Sequence, residues 1–108
     1  MPTFSGVITF EILANNCLNG HYTNDHPDTG GQLYNEIARK ISEGNGITGQ
    51  YICSYIDVGN IVKVCTLEIR EGIGDNLLFS WNMDGTQIFK GIGLLNKENR
   101  LRVEYTDI

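Results

Sequence analysis

The second half of the chain is cut at short intervals by turn-forming clusters, and this punctuation constrains the fold more than any other feature. Asp57-Val58-Gly59-Asn60, Gly72-Ile73-Gly74-Asp75, Asp84-Gly85 and Asn96-Lys97-Glu98-Asn99 separate apolar, β-branched runs at 47–57, 61–71, 76–83, 86–95 and 100–106. Connections this short join antiparallel neighbours, so the pattern predicts five consecutive hairpin-linked strands. Asp84-Gly85 is the sharpest of these signals, because a two-residue type I′ turn needs positive φ at both central positions.

Period-2 alternation sorts the side chains of these runs into two faces. Leu77, Phe79, Trp81 and Met83 fall on one side, and Leu78, Ser80 and Asn82 on the other. Leu101, Val103 and Tyr105 oppose Arg100, Arg102 and Glu104, while Tyr51, Cys53 and Tyr55 share a face. A three-residue loop Val58-Gly59-Asn60 sets Cys53 directly opposite Cys65, since each is equally far from Gly59. The pair is expected as neighbouring thiols; a disulfide between them would need oxidising conditions and strained geometry.

The first half is less regular. From Phe4 to Ile12, Gly6, Ile8, Phe10 and Ile12 alternate with Val7, Thr9 and Glu11, which predicts a strand. The stretch Ala14 to Asn19 is read as a loop leading into a short strand, Gly20 to Asn24, and Asp25 to Gly31 as a second loop. The segment 32–42 supports two readings. As a helix it gathers Leu33, Tyr34, Ile37, Ala38 and Ile41 on one face, with Gly44 as its C′ residue. As a strand it places Leu33, Ile37 and Ile41 on one side, interrupted by Asn35 and Arg39, and supplies the member that a barrel would otherwise lack.

Composition narrows the function classes. A chain of 108 residues supports one core and is read as a single domain, 1–108. The net charge is −5 and the eight Lys and Arg residues form no dense run, which disfavours a nucleic-acid partner. No window approaches a membrane span and the N-terminus lacks a signal-peptide pattern, so a cytoplasmic protein is expected. Three cysteines without a C-x-x-C spacing argue against a zinc site and against a disulfide scaffold. His21 and His26 lie near Asp25 and Asp28, but no third ligand is evident, and a solvated loop is the simpler reading. Glu68 and Glu71 bracket Arg70 as an exposed strand edge. No catalytic, metal or cofactor motif is present, and none is expected to be used.

Three motifs in order carry a likeness. Gly20-His21-Tyr22-Thr23-Asn24 is similar to the Gly-x-Trp-x-Asn first strand of avidin-type, lipocalin-like biotin-binding barrels, and Thr48-Gly49-Gln50-Tyr51 to that family's Thr-Gly-x-Tyr. Phe79-Ser80-Trp81-Asn82 followed by Phe89-Lys90-Gly91 resembles its tryptophan strand and the Phe-x-Gly strand after it, so the likeness spans roughly residues 20–95. The resemblance implies an eight-stranded barrel in which Asn24, Tyr51, Trp81 and Phe89 line a small-molecule pocket. The chain departs from the family at both ends. His26-Pro27-Asp28-Thr29 replaces a serine-containing loop, the strand Leu101 to Tyr105 has no second tryptophan, and the last strand is missing. The extra strand Phe4 to Ile12 is expected to take that vacant place, pairing with both Leu101–Tyr105 and Gly20–Asn24.

The expected fold is therefore all-β, an antiparallel up-and-down barrel or strongly curved meander of about seven or eight strands, or α+β if 32–42 is helical. If Phe89 faces inward, so do Gly91 and Gly93, and glycines opposite Tyr51, Tyr55 and Trp81 would leave an aromatic-lined space. The leading expectation is non-catalytic binding of a small, partly apolar molecule, with Asn24 and Tyr51 as polar anchors and Tyr55, Trp81 and Phe89 as walls. The alternative is a structural or interaction module with a filled interior, its outer stripe Ile88, Ile92 and Leu94 making a homo-oligomer.

Overall fold

Each of eight antiparallel strands pairs with the next, and the first also pairs with the last, so the sheet closes on itself. The computed structural model describes residues 3–108 apart from Asn45 and Val58. The strands are β1 (Ser5–Leu13), β2 (Cys17–Asn24), β3 (Tyr34–Lys40), β4 (Gly49–Asp57), β5 (Ile61–Glu71), β6 (Leu77–Met83), β7 (Thr86–Leu95) and β8 (Arg100–Asp107). Closure removes both sheet edges, which would otherwise expose unpaired backbone groups. β1 does this as expected, pairing Ile8 with Tyr22 of β2 on one side and with Val103 of β8 on the other. The open-meander and helical alternatives fall together, because 34–40 is the strand that links β2 to β4.

The expected turn chemistry is present. Asp84 and Gly85 both sit at positive φ, 53° and 81°, which is the type I′ signature that matches strand twist. Asp57 pairs with Ile61 and Cys53 with Cys65 in the expected register, although Val58 of that loop lies outside the described residues. Both cysteines are buried thiols, whereas Cys17 is half-buried at the start of β2. Ellman's reagent is expected to modify one thiol quickly in the folded protein and the other two only after denaturant is added. Three fast-reacting thiols would contradict this packing.

Four expectations are corrected. β2 starts at Cys17, not Gly20, because Leu18 pairs with both Ile12 and Ala38 and is buried. β3 takes the opposite phase to its apolar pattern: Glu36 and Ala38 face the interior, while Leu33, Ile37 and Ile41 are exposed. The reverse phase would have buried Arg39, whose guanidinium cannot discharge, whereas a carboxyl can be buried in its neutral form. On β7, Trp81 pairs with Phe89 but Asn82 with Gln87, so Ile88 is the extra residue of a β-bulge. A bulge lets two consecutive side chains turn the same way. Ile88 is therefore partly buried against the core and leaves the outer stripe, on which Ile92 and Leu94 remain exposed. Finally, Gly91 and Gly93 enclose no void. Val103 methyls of β8 stand 2.8 Å from where a Cβ would lie at either glycine, and Phe79 is 3.0 Å from the one at Gly93.

The interior divides into two halves. Towards the end formed by the β3–β4 and β5–β6 connections, Phe10, Leu18, Leu67, Ile69, Phe79 and Leu101 are fully buried and plug the barrel. The Phe10 ring stacks on Phe79 at 6.3 Å and occupies the space beside Gly20. The other end is left open. Among the described residues no helix is long and apolar enough to cross a membrane.

Candidate functional site

Above the plug a cavity of about 570 Å³ opens at the end where the β2–β3 loop, the β6–β7 turn and both termini meet. Inward positions of β2, β4, β6, β7 and β8 supply Tyr22, Tyr55, Trp81, Phe89 and Tyr105. A cavity of this size, walled by aromatic rings and carrying polar side chains between them and at its rim, has the build of a small-molecule site. A broader concavity of about 980 Å³ crosses the outer wall near Val7, Ile92 and Glu104.

Four of the rings form a closed circuit. Centroid spacings are 6.2 Å for Tyr22–Tyr55, 6.5 Å for Tyr55–Phe89, 5.9 Å for Phe89–Tyr105 and 6.5 Å for Tyr105–Tyr22. Successive planes cross at 80°, 77°, 84° and 77°, the relation between adjacent walls of a box. Trp81 touches two of these walls, 6.5 Å from Phe89 and 5.9 Å from Tyr105.

Glu36 lines the same cavity and is only 5% exposed. Trp81 Nε1–H donates to Glu36 Oε2 at 3.0 Å, and the Cys53 side chain makes a second hydrogen bond to the carboxyl. Burial raises the Glu36 pKa from 4.5 to about 7, even though both hydrogen bonds act to lower it. The same loss of solvent, with Glu36 contributing repulsion, pushes the Tyr22, Tyr55 and Tyr105 hydroxyls above their ordinary range. The hydrogen bond to Cys65, then burial, raises Cys53 as well, so this thiol stays protonated and is a poor nucleophile. The site thus presents aromatic rings and one buried carboxyl, while the Tyr22 and Tyr105 hydroxyls donate to the Ile56 and Thr23 carbonyls.

The mouth is fastened by the chain ends and by the β2–β3 loop. Asn24 Oδ1 accepts from His26 N at 3.0 Å and from Thr29 Oγ1 at 2.6 Å, while its Nδ2 donates to Tyr105 Oη at 3.0 Å. Asp107 accepts from the backbone N–H of Thr3 at 2.7 Å and of Phe4 at 3.1 Å, and also from the Thr3 hydroxyl. This latch brings the Phe4 ring edge-on to His26, at 5.4 Å, and to Phe89, at 6.0 Å. Asp28, Asp57 and Asp107 rim the opening, with Lys63 paired to Asp57 at 2.8 Å.

Of the five residues expected to bind a ligand, Asn24, Tyr55, Trp81 and Phe89 line the cavity. Asn24 does so with its amide engaged in holding the loop and Tyr105. Tyr51 lies elsewhere, 2% exposed towards the plugged end, with its hydroxyl donating to the Ile47 carbonyl at 2.6 Å. His26 Nδ1 accepts from the Asp28 backbone N–H at 3.1 Å. Among the described residues no three His, Cys, Asp or Glu side chains are arranged to hold a metal ion. Arg70 pairs with Glu68 at 3.3 Å on the outer wall. Glu36, Tyr22 and Tyr105 escaped sequence reasoning as site residues. The one available signal was Glu36 itself, a carboxylate in register with two inward positions once β3 is a strand.

No protein-family model matches this chain, and neither a curated protein nor a solved structure matches it. The molecule is an eight-stranded antiparallel β-barrel plugged at one end and open at the other, an architecture compatible with lipocalin- and avidin-like barrels.

Proposed function

We propose that this protein binds a small, partly apolar molecule in the open half of its barrel without transforming it. The observation that carries this reading is the aromatic-walled cavity of about 570 Å³ standing over a fully packed plug. A barrel whose interior served only stability would gain by filling that volume, since each unfilled space forfeits dispersion contacts. The likeness of the Gly20–Asn24 and Phe79–Gly91 segments to avidin-type barrels supports the same use of the interior. A specific ligand also explains why Phe4 and the 25–31 loop are fastened over the mouth by side-chain hydrogen bonds. Trp81 is the only tryptophan, so it reports directly on occupancy. In a panel of small, partly apolar compounds, neutral and charged, with biotin included, saturable quenching or a spectral shift of Trp81 is expected for compounds that fit. At ligand about a hundredfold above Kd the fold should gain about 2.7 kcal/mol. A panel without any saturable response would overturn the proposal.

One observation favours a second role, that of a self-associating module. Ile37, Ile52, Val62 and Val64 are exposed on the outer wall of the adjacent strands β3, β4 and β5, separate from Ile92 and Leu94 on β7. Several exposed apolar side chains on one face, here interspersed with Ser54 and Thr66, are typical of protein interfaces. A dimer in size-exclusion chromatography that dissociates on Val64→Lys would support this role, and it is compatible with an occupied interior.

A further inference from the structure

We infer that the cavity selects an organic cation, a protonated alkyl- or arylalkylamine, holding its ammonium group within the Tyr22–Tyr55–Phe89–Tyr105 box against the Glu36 carboxylate. This inference rests on the binding function proposed above and specifies the ligand's charge.

Three observations converge on it. The first is the geometry of the rings. A circuit with sides of 5.9 to 6.5 Å has a centre within about 6 Å of every centroid, the distance over which aromatic rings and a cation attract. Apolar ligands are served by any apolar wall, such as the Leu, Ile and Val residues that fill the plug. Aromatic faces and an acidic group together favour an ammonium ion in particular.

The second is the carboxyl. A carboxylate offers about four acceptor sites, and among the described residues the Glu36 carboxyl is engaged by two donors, Trp81 and Cys53. No Lys, Arg or His is hydrogen-bonded or ion-paired to it among the described residues. A buried acidic group without a cationic partner is costly once ionised, and a bound ammonium supplies the missing charge. Burial holds its pKa near 7, so the empty site keeps the group largely uncharged below that pH, and an arriving cation displaces the proton to solvent. The third is the approach. Asp28, Asp57 and Asp107 surround the mouth, Lys63 offsets Asp57 by pairing with it, and Asp28 and Asp107, uncompensated by Lys or Arg among the described residues on a chain of net charge −5, give the opening a field that attracts cations and repels anions.

Matched probes separate charge from shape. 2-Phenylethylamine, the near-isosteric neutral 2-phenylethanol and the anion phenylacetate would be titrated calorimetrically into the wild-type protein and into Glu36→Gln at about pH 8. The glutamine amide keeps an acceptor for Trp81 Nε1–H, and an unchanged Trp81 emission spectrum and far-UV circular dichroism would verify the fold of the variant. The amine is expected to bind about tenfold or more tightly than the alcohol, with the anion weakest, and the variant should reduce the amine-to-alcohol ratio several-fold, leaving only the share that the rings contribute. If amine and alcohol bind equally to the wild type, or if the variant retains the full ratio, the cation inference is overturned while binding in the cavity stands. If none of the three binds and the wider panel is also silent, both readings fall.

Discussion

Glu36→Gln is expected to abolish most of the pH dependence of stability between about pH 4.5 and 7 and to leave the protein more stable than its parent at alkaline pH. The carboxyl titrates near 7 in the folded barrel and at 4.5 in an unfolded chain. Between those values the unfolded state holds fewer protons, so the free energy of unfolding falls as pH rises. The favourable contribution is complete below the unfolded value and gone above the folded one. At about 1.4 kcal/mol per pKa unit the whole change is about 3 kcal/mol. The titratable groups facing the carboxyl are Tyr22, Cys53, Tyr55 and Tyr105, all with raised pKa values, so they remain protonated across this window. A glutamine in this place needs no such neutralisation and still accepts from Trp81. Urea denaturation of both proteins at several pH values measures the difference directly. Parallel curves would mean that the Glu36 carboxyl is not buried as described.

The second large effect concerns the plug. Phe10→Ala is expected to cost about 3–5 kcal/mol, because it removes a fully buried ring from contact with Phe79 and leaves a cavity that the closed sheet cannot collapse. Gly20→Ala is expected to cost about 1–3 kcal/mol for the complementary reason, its new methyl lying 2.7 Å from the Phe10 ring. The two changes compete for one volume. The double variant should therefore lose less than the sum of the single losses, with a coupling of about 1 kcal/mol or more in a double-mutant cycle. Strict additivity would show that the ring does not occupy the space beside Gly20.

How far these residues were legible in advance follows from the range of the forces that place them. Asp84-Gly85 and the alternation in Leu101 to Tyr105 are local signals, and the corresponding turn and strand form where expected. Cys53 opposite Cys65 required only a loop length and a period of two. Tyr55, Trp81 and Phe89 were recognisable as cavity residues for the same reason, each standing on the inward phase of a strand with clear alternation. Tyr51 shares that phase yet lies deeper, where the Ile47 carbonyl takes its hydroxyl, because position along a barrel axis depends on which end is plugged.

Glu36 marks the boundary of sequence reasoning most clearly. Its own segment presents Leu33, Ile37 and Ile41 as the apolar side, and a strand judged alone would turn them inward. In the barrel, β3 must pair simultaneously with Leu18 and Gly20 of β2 and with Cys53 and Tyr55 of β4, and those neighbours set its phase. The bulge at Ile88 is a similar case, since one extra residue turns Ile88 to the same side as Phe89 while Ile92 and Leu94 keep the facing that alternation gives them.

The sequence by itself determined the strands from 47 onward, their hairpin order, the strand character of the first segment and three residues of the cavity wall, Tyr55, Trp81 and Phe89. All of these depend on period-two patterning and turn residues acting over a few positions. Only the tertiary structure decided which half of the barrel is filled, that Val103 and Phe79 take the space beside Gly91 and Gly93, and that a carboxyl rather than an isoleucine faces the rings. These are outcomes of closure: once the last strand meets the first, the facing of each side chain is set by both neighbouring strands, and a locally preferred arrangement yields to the one that the whole ring can satisfy.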